Sequence, residues 1–420
     1  MPDHARSVAQ RFTAAGTRVA TLVLGGRFER ALVPVLMVIG TNFAGFGALV
    51  GYFGIWLIKA RHADVETVST ALFLAGLAGA VGAGTAGSAV DRLGPQRMII
   101  GIAALHTIGT AVLVFPVGTW TGIGAVVMVT GTQPLRGVAQ RTLIGALSRQ
   151  GSGEKAFADL RLVLNLGMFC GPLVGAGLLH WGWQSLRVGV FLLYALSLVT
   201  AVKLYSARLP DEMTAPAARS RPVASSPMSR EHWRLLLLLL VGSSSAWIIM
   251  YLYEAVIPIL VVGTQVMSAS EWGFVYSVGP LLFLVGQFRI QRWFRSFAPL
   301  GRLLGGVSLM GFAFLIFWDG LGTATLLLFI VIFVFGDMLW GPGSEDLVIR
   351  AAPKGRTGAY VGAVTSTMWI GNAVAPAAGL YARERYGDHV LWLGAAGLGL
   401  LGALCYAKVY QLVSTAEPVE

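Results

Sequence analysis

Read as a pattern of apolar and polar positions, the chain falls into long apolar runs separated by short polar turns. Twelve runs approach the roughly 20 residues that a helix needs to cross a bilayer. They lie near residues 33–58, 67–90, 97–116, 121–144, 157–180, 187–206, 235–262, 272–292, 300–318, 321–344, 358–381 and 389–410. A break at Pro116 and Gly118 parts the third run from the fourth, and Asp319-Gly320 parts the ninth from the tenth. Many runs contain Gly and Pro, which membrane helices tolerate better than soluble ones. The pattern predicts an all-α integral membrane protein with twelve transmembrane helices. The longest polar stretch, Ala207–His232, is rich in Pro, Ser, Ala and Arg and reads as a linker between two six-helix halves. The expected layout is a tail over 1–30, a first half over 31–206, a linker over 207–232, a second half over 233–410 and a tail over 411–420.

Composition agrees with the pattern. Of 420 residues, 55% are hydrophobic and 12% charged, about half the charge of an ordinary soluble protein. That excludes a standard soluble enzyme, and the hydrophobicity excludes disorder. The 54 Gly follow no G-X-Y period, so collagen is excluded. Two cysteines, Cys170 and Cys405, sit inside apolar runs and make neither a disulfide scaffold nor a zinc module.

The net charge of +11 changes meaning once it is placed along the spans. An even number of spans puts both termini on one side. If that side is the cytoplasm, 26 of the 31 Lys and Arg lie inside, and Lys59, Arg61, Arg187, Arg383 and Arg385 lie outside. The positive-inside rule is met by a wide margin. The basic residues therefore orient the chain and meet anionic lipid, with no nucleic acid partner implied. A bacterial inner (plasma) membrane, with both termini cytoplasmic, is the expected location.

The halves repeat. Gly167, Gly171-Pro172 and Gly175 in the fifth run match Gly371, Ala375-Pro376 and Gly379 in the eleventh at an offset of 204. Arg97 and Gly101 match Arg302 and Gly306 at an offset of 205. Two six-span halves with a site between them is the plan of many secondary transporters.

The turn after the second run reads Gly87-Ser-Ala-Val-Asp91-Arg92-Leu-Gly94-Pro-Gln96-Arg97. This segment resembles the loop signature of the major facilitator superfamily, in which a Gly and three further residues are followed by Asp, a basic residue, any residue, a second Gly and then basic residues. Gly87, Asp91, Arg92, Gly94 and Arg97 match, and Gln96 departs at a basic position. Gly94 suits a tight turn, and Gly87 suits close helix packing. The resemblance implies a gating role, with Asp91 meeting the start of the eleventh span. A helix N-terminus favours an anion by about 0.3–1 kcal/mol, weak enough for a latch that must release.

Gly167-x-x-x-Gly171-Pro172-x-x-Gly175-Ala176 resembles the span-five motif of drug/proton antiporters, with Ala in place of the last Gly. The resemblance implies export. Gly at spacings of four lines one helix face, and Pro172 removes a helical hydrogen bond. Arg161 and Asn165 precede it in a pattern shared with bacterial efflux members. One departure concerns span four, where the antiporter arginine is not matched and Arg136 and Arg141 lie further along the run.

A charge at the bilayer centre costs at least about 2.5–3.5 kcal/mol, so ionisable groups there are candidates for function. Glu254 lies in the seventh run, Asp337 in the tenth and Arg136 in the fourth. A low-dielectric surround penalises a carboxylate's charge, so Glu254, and after it Asp337, can load and unload a proton as a cavity wets and dries. His106, in the third run, reads as a core histidine. Asn42, Phe46, Gln133, Tyr251, Tyr276, Phe283, Trp369 and Asn372 are candidates for lining a substrate cavity. The chain has no Walker loop, no HExxH and no His cluster, so no ATP, metal or other cofactor is implied and enzyme activity is not expected.

These features together predict a monomeric secondary transporter that moves a small molecule by alternating access, coupled to protons. Export of a small hydrophobic compound, with the character of a multidrug efflux antiporter, is the leading expectation. Import of a small nutrient is the alternative, favoured if the cavity is more polar and less aromatic. A non-transporting membrane sensor is the third reading.

Overall fold

The computed structural model describes residues 33–147, 153–206, 229–353 and 356–416. The expected N-terminal tail and nearly all of the linker lie outside these residues, while the last helix runs on to Ala416, into the stretch expected as a C-terminal tail. The described residues form thirteen α-helices. The first six are α1 Val33–Arg61, α2 Val65–Leu93, α3 Pro95–Val114, α4 Thr119–Leu147, α5 Gly153–Leu179 and α6 Trp183–Ser206. The rest are α7 Arg230–Tyr251, α8 Ile257–Gly263, α9 Ala269–Trp293, α10 Pro299–Phe312, α11 Thr323–Ala351, α12 Thr357–Tyr386 and α13 Asp388–Ala416.

Local chemistry sets the boundaries. Asp64 caps α2 through the Thr67 N–H, and a Ser268–Glu271 capping box starts α9. Gly94 ends α2 with a φ of 79°, a left-handed conformation that a side chain resists, and its N–H closes on the Val90 carbonyl. The tight turn expected of the loop signature is thus present. Proline opens α3 and α10 at positions where a missing N–H does no harm.

The seventh apolar run is not a plain helix. α7 passes through a π-turn, Leu252–Val256, into α8. Pro258 offers no N–H to the carbonyl of Glu254, so the backbone widens there and the Ile257 N–H bonds the Leu252 carbonyl instead. Glu254 sits inside this widened turn.

By length and composition, nine candidate spans among the described residues are apolar enough to cross a membrane, or ten if the bent pair Ala269–Gln287 and Arg289–Ser296 counts as one. α4 and α12 form where expected but fall short of that test. α4 carries Gln133, Arg136, Gln140 and Arg141, and α12 ends in Arg383-Glu384-Arg385.

The packing repeats. α1 lies against α5 and α6, α2 against α4, and α3 against α4 and α6. In the same pattern α7 lies against α12 and α13, α9 against α11, and α10 against α11 and α13. Two further contacts, α2 with α12 and α5 with α9, join these sets. The duplication visible in the glycines and prolines is therefore also a duplication of helix neighbours.

Candidate functional site

Where the two sets of helices meet, a cavity of about 350 Å³ is lined by Phe46, Gly47, Val50, Gly51, Met168, Tyr251, Glu254, Tyr276 and Asn372. Five of these were expected from sequence: Phe46, Tyr251, Glu254, Tyr276 and Asn372. The π-turn presents Glu254 to this space, where it is half-buried. The Tyr276 hydroxyl lies within hydrogen-bonding reach of the Glu254 carboxyl, and Asn372 is within reach of the Tyr251 hydroxyl. Tyr253 stacks on Tyr276 with centroids 5.6 Å apart and fixes its ring. Asp337, on α11, is near enough for its charge to act on Glu254. The two acids that sequence reasoning singled out thus belong to one electrostatic unit.

The missed lining residues are Gly47, Val50, Gly51 and Met168. Gly47 and Gly51 are spaced by four on α1, a signal that was available in the sequence. A side chain at Gly51 would meet no atom within 4 Å, because it faces the open space.

Four expected lining residues lie elsewhere. Trp369 is buried against Gly79, where α2 and α12 touch. Phe283 packs beside the aromatic core of the second set of helices. Asn42 and Gln133 are buried within the first set. Asn42 Nδ2 is 3.2 Å from His106 Nδ1, and His106 Nε2 is 2.8 Å from the Thr132 hydroxyl. His106 is therefore a hydrogen-bonded core histidine, as expected. Arg136 joins this interior at 0% exposure and donates to the Val38 carbonyl at 2.8 Å and the Ser197 hydroxyl at 3.1 Å. Among the described residues no carboxylate pairs with it.

In the gating motif, Asp91, Arg92 and Arg97 are exposed. No ion pair or hydrogen bond holds the Asp91 side chain among the described residues. Residues 354 and 355, just before α12, lie outside them. Gly87 does not serve helix packing, since a Cβ there would meet nothing within 4 Å. The close approaches on α2 come earlier. Gly76 touches the backbone of Asn372 and Ala373, Gly79 the Trp369 ring, and Gly82 the Gly131 carbonyl. Gly87 lies within α2, before the Gly94 that ends it, and the packing glycines are one to three turns further inward.

The span-five glycines pack within one set of helices. Gly167 lies against Phe43 and Ala44, Gly171 against the Ala44 carbonyl and the Ala48 N–H, and Gly175 against the Tyr52 ring. They bring α5 onto α1. The Pro172 carbonyl accepts a 2.8 Å hydrogen bond from the Tyr52 hydroxyl.

The two ends of the interface differ. Away from the Gly94 turn it is closed by packing: Ser270 donates to the Ala176 carbonyl at 2.7 Å, Gly273 abuts Tyr52, and Gly54 abuts Ile259. On the side of the Gly94 turn, an exposed ion pair of 2.5 Å joins Arg161 on α5 to Glu345 on α11, and the charge of Arg141 acts on the same Glu345. Arg161 drew notice in the sequence. Glu345 did not, because its partner is 184 positions away.

Comparisons with known proteins place this geometry. The family model of the Major Facilitator Superfamily matches residues 35–376. An uncharacterized MFS-type transporter, YqjV of Bacillus subtilis (strain 168), is 21% identical over 281 residues, which are 66% of this chain and 64% of that one. The alignment thus spans less than two thirds of that relative. Among solved structures, a POT family transporter in complex with 5-aminolevulinic acid has a TM-score of 0.78 at 13% identity, covering 92% of this chain and 96% of that one. A peptide transporter POT in complex with sulfate has a TM-score of 0.74 at 15% identity, covering 92% and 95%. At such identities the likeness is one of fold. None of these findings speaks for drug efflux, the reading that the span-five motif suggested. The chain belongs to the major facilitator superfamily and is a multi-pass membrane transporter, with no enzyme activity implied.

Proposed function

We propose that the protein is a proton-coupled importer of a small, polar, amine-bearing solute such as a short peptide or an amino-acid derivative. The observation that carries this reading is the cavity in which Glu254 stands beside Tyr251, Tyr276 and Asn372, with Phe46 as its one wholly apolar ring. Three hydrogen-bonding side chains around one carboxyl suit a polar solute better than a greasy one. The fold shared with peptide transporters supports the same reading.

Twelve spans in two six-helix bundles rock about this cavity, the seventh span being α7 and α8 together. The Gly94 turn and both termini face the cytoplasm of a bacterial inner membrane, and the single chain is the working unit. Glu254 and Asp337 share the transported proton, and the ionised member pairs with the substrate ammonium. Asp91, Arg92 and the Arg161–Glu345 pair hold the cytoplasmic side. Closing that side brings weak contacts together that release easily, since exposed ion pairs contribute about 0–1 kcal/mol.

The test uses purified protein in proteoliposomes with an imposed pH gradient and a panel of labelled dipeptides and amino acids. Uptake down the proton gradient, abolished by a protonophore, is the expected result. Expulsion of solute as protons enter would overturn import and restore the efflux reading.

A further inference from the structure

The end of α9 is bent. Ala269–Gln287 and Arg289–Ser296 meet at an angle of 44°. A span that simply continued into water would have no reason to bend so near its end. The bent piece has two faces. Gln291 and Phe294 point inward: Gln291 Nε2 donates to the Met338 carbonyl at 2.5 Å, and the Phe294 ring lies 5.5 Å from Phe335. Arg289, Arg292 and Arg295 are exposed at helical spacing. Trp293 is 70% and Phe297 58% exposed beside them.

Among the described residues no carboxylate pairs with any of these three arginines. On α11, Glu345 pairs with Arg161 and Asp346 with Arg350, while the half-buried Asp337, in the stretch that Gln291 and Phe294 touch, forms no ion pair among the described residues. The stripe is thus a row of uncompensated cations flanked by exposed aromatic rings. It lies at the same end of the helices as the Gly94 turn. Tryptophan favours the boundary between headgroups and acyl chains. Arginine matches a phosphate with its paired N–H groups. A short helix with both belongs in the plane of that boundary.

We propose that Arg289, Arg292 and Arg295, with Trp293 and Phe297, form a binding site for an anionic phospholipid headgroup. The arginines take the phosphate and the rings enter the acyl boundary. Through Gln291 and Phe294 the bound lipid braces the stretch Phe335–Met338, which carries Asp337.

The test needs no transport substrate. Full-length protein is equilibrated with mixed phosphatidylcholine and phosphatidylglycerol, and retained lipid is read by native mass spectrometry. Each arginine at an anionic surface contributes about five-fold in affinity. The triple variant R289Q/R292Q/R295Q therefore loses about 100-fold in phosphatidylglycerol retention. The triple lysine variant, which keeps the charge, retains most of it. Quenching of wild-type fluorescence by brominated phosphatidylglycerol, reduced in Trp293→Phe, reads the same site without altering the arginines. Equal retention by wild type and the glutamine variant, equal loss in the glutamine and lysine variants, no preference of wild type for the anionic lipid, or unchanged quenching in Trp293→Phe would overturn the proposal.

Discussion

The two repeated sets of helices share their pairings and differ in what they bury. The first is zipped by small residues, with Gly167 and Gly171 bringing α5 onto α1. Its ionisable groups, Arg136 and His106, are sealed at 0% exposure among hydrogen-bonding neighbours. The second is filled by rings. Tyr253, Phe314, Phe317, Phe329, Phe333 and Trp392 pack ring against ring around its centre, mostly at tilted angles. Its acids, Glu254 and Asp337, stay half-buried, and Glu254 lines the cavity. A duplicated architecture thus divides the labour: one set offers a stiff wall, and the other offers groups that can change charge.

The largest effect should come from the second set. Glu254→Gln keeps the shape and hydrogen-bonding capacity of the cavity and removes the titrating group. Gradient-driven uptake in proteoliposomes should fall to the level set by the solute's own gradient, with little change in melting temperature. Asp337→Asn should lower the same rate less, because Asp337 acts on Glu254 from outside the cavity lining. If Asp337→Asn proves the more severe, the proton is carried on α11.

The first set should answer in stability. Gly171→Leu drives a side chain into the Ala44 carbonyl and the Ala48 N–H, backbone atoms that cannot step aside. Overpacking of this kind costs about 1–3 kcal/mol or more, and the thermal midpoint should drop accordingly. Arg136→Met removes a buried cation that has no carboxylate partner. A buried ion without a partner carries a desolvation cost of about several kcal/mol, which the substitution removes, so the melting temperature should hold or rise. A loss of uptake in Arg136→Met at full stability would break the comparison, because the sealed cation would then share in the mechanism.

The Arg161–Glu345 pair should give the smallest change. Both side chains are 63% exposed, and such a pair contributes about 0.2–1 kcal/mol. Arg161→Gln should leave stability almost unaltered. It should raise the fraction of molecules open on that side, measured by the distance between spin labels on α5 and α11. The exchanged pair R161E/E345R should restore the wild-type distribution.

Much of this fold was legible in the chain. Apolar runs longer than a bilayer's width can satisfy their backbone only as helices, so their positions followed from hydrophobicity alone. Tyr251, Glu254 and Tyr276 were legible as polar groups in spans that otherwise exclude them. Other residues were not. Trp369 and Phe283 carry the same chemistry as a lining aromatic, and only their neighbours show them to be packing residues. Gly87 matched a motif, yet the close contacts fall at Gly76, Gly79 and Gly82. Composition cannot tell a glycine that admits another helix from one that faces open space.

What the sequence determined by itself was the helical membrane architecture, the internal duplication and the few ionisable groups inside the spans. These follow from the free energy of placing each side chain and peptide group in lipid, a property of local sequence. The tertiary structure decided which of those groups share a space. Helices 1, 5, 7, 9 and 12 meet at the cavity from opposite ends of the chain, and the charge of Asp337 acts on Glu254 only because α7, which leads into the π-turn, packs against α11. Which helix faces approach is fixed by the fit of small residues against large ones across hundreds of positions. That fit is a property of pairs of helices, which no single segment contains.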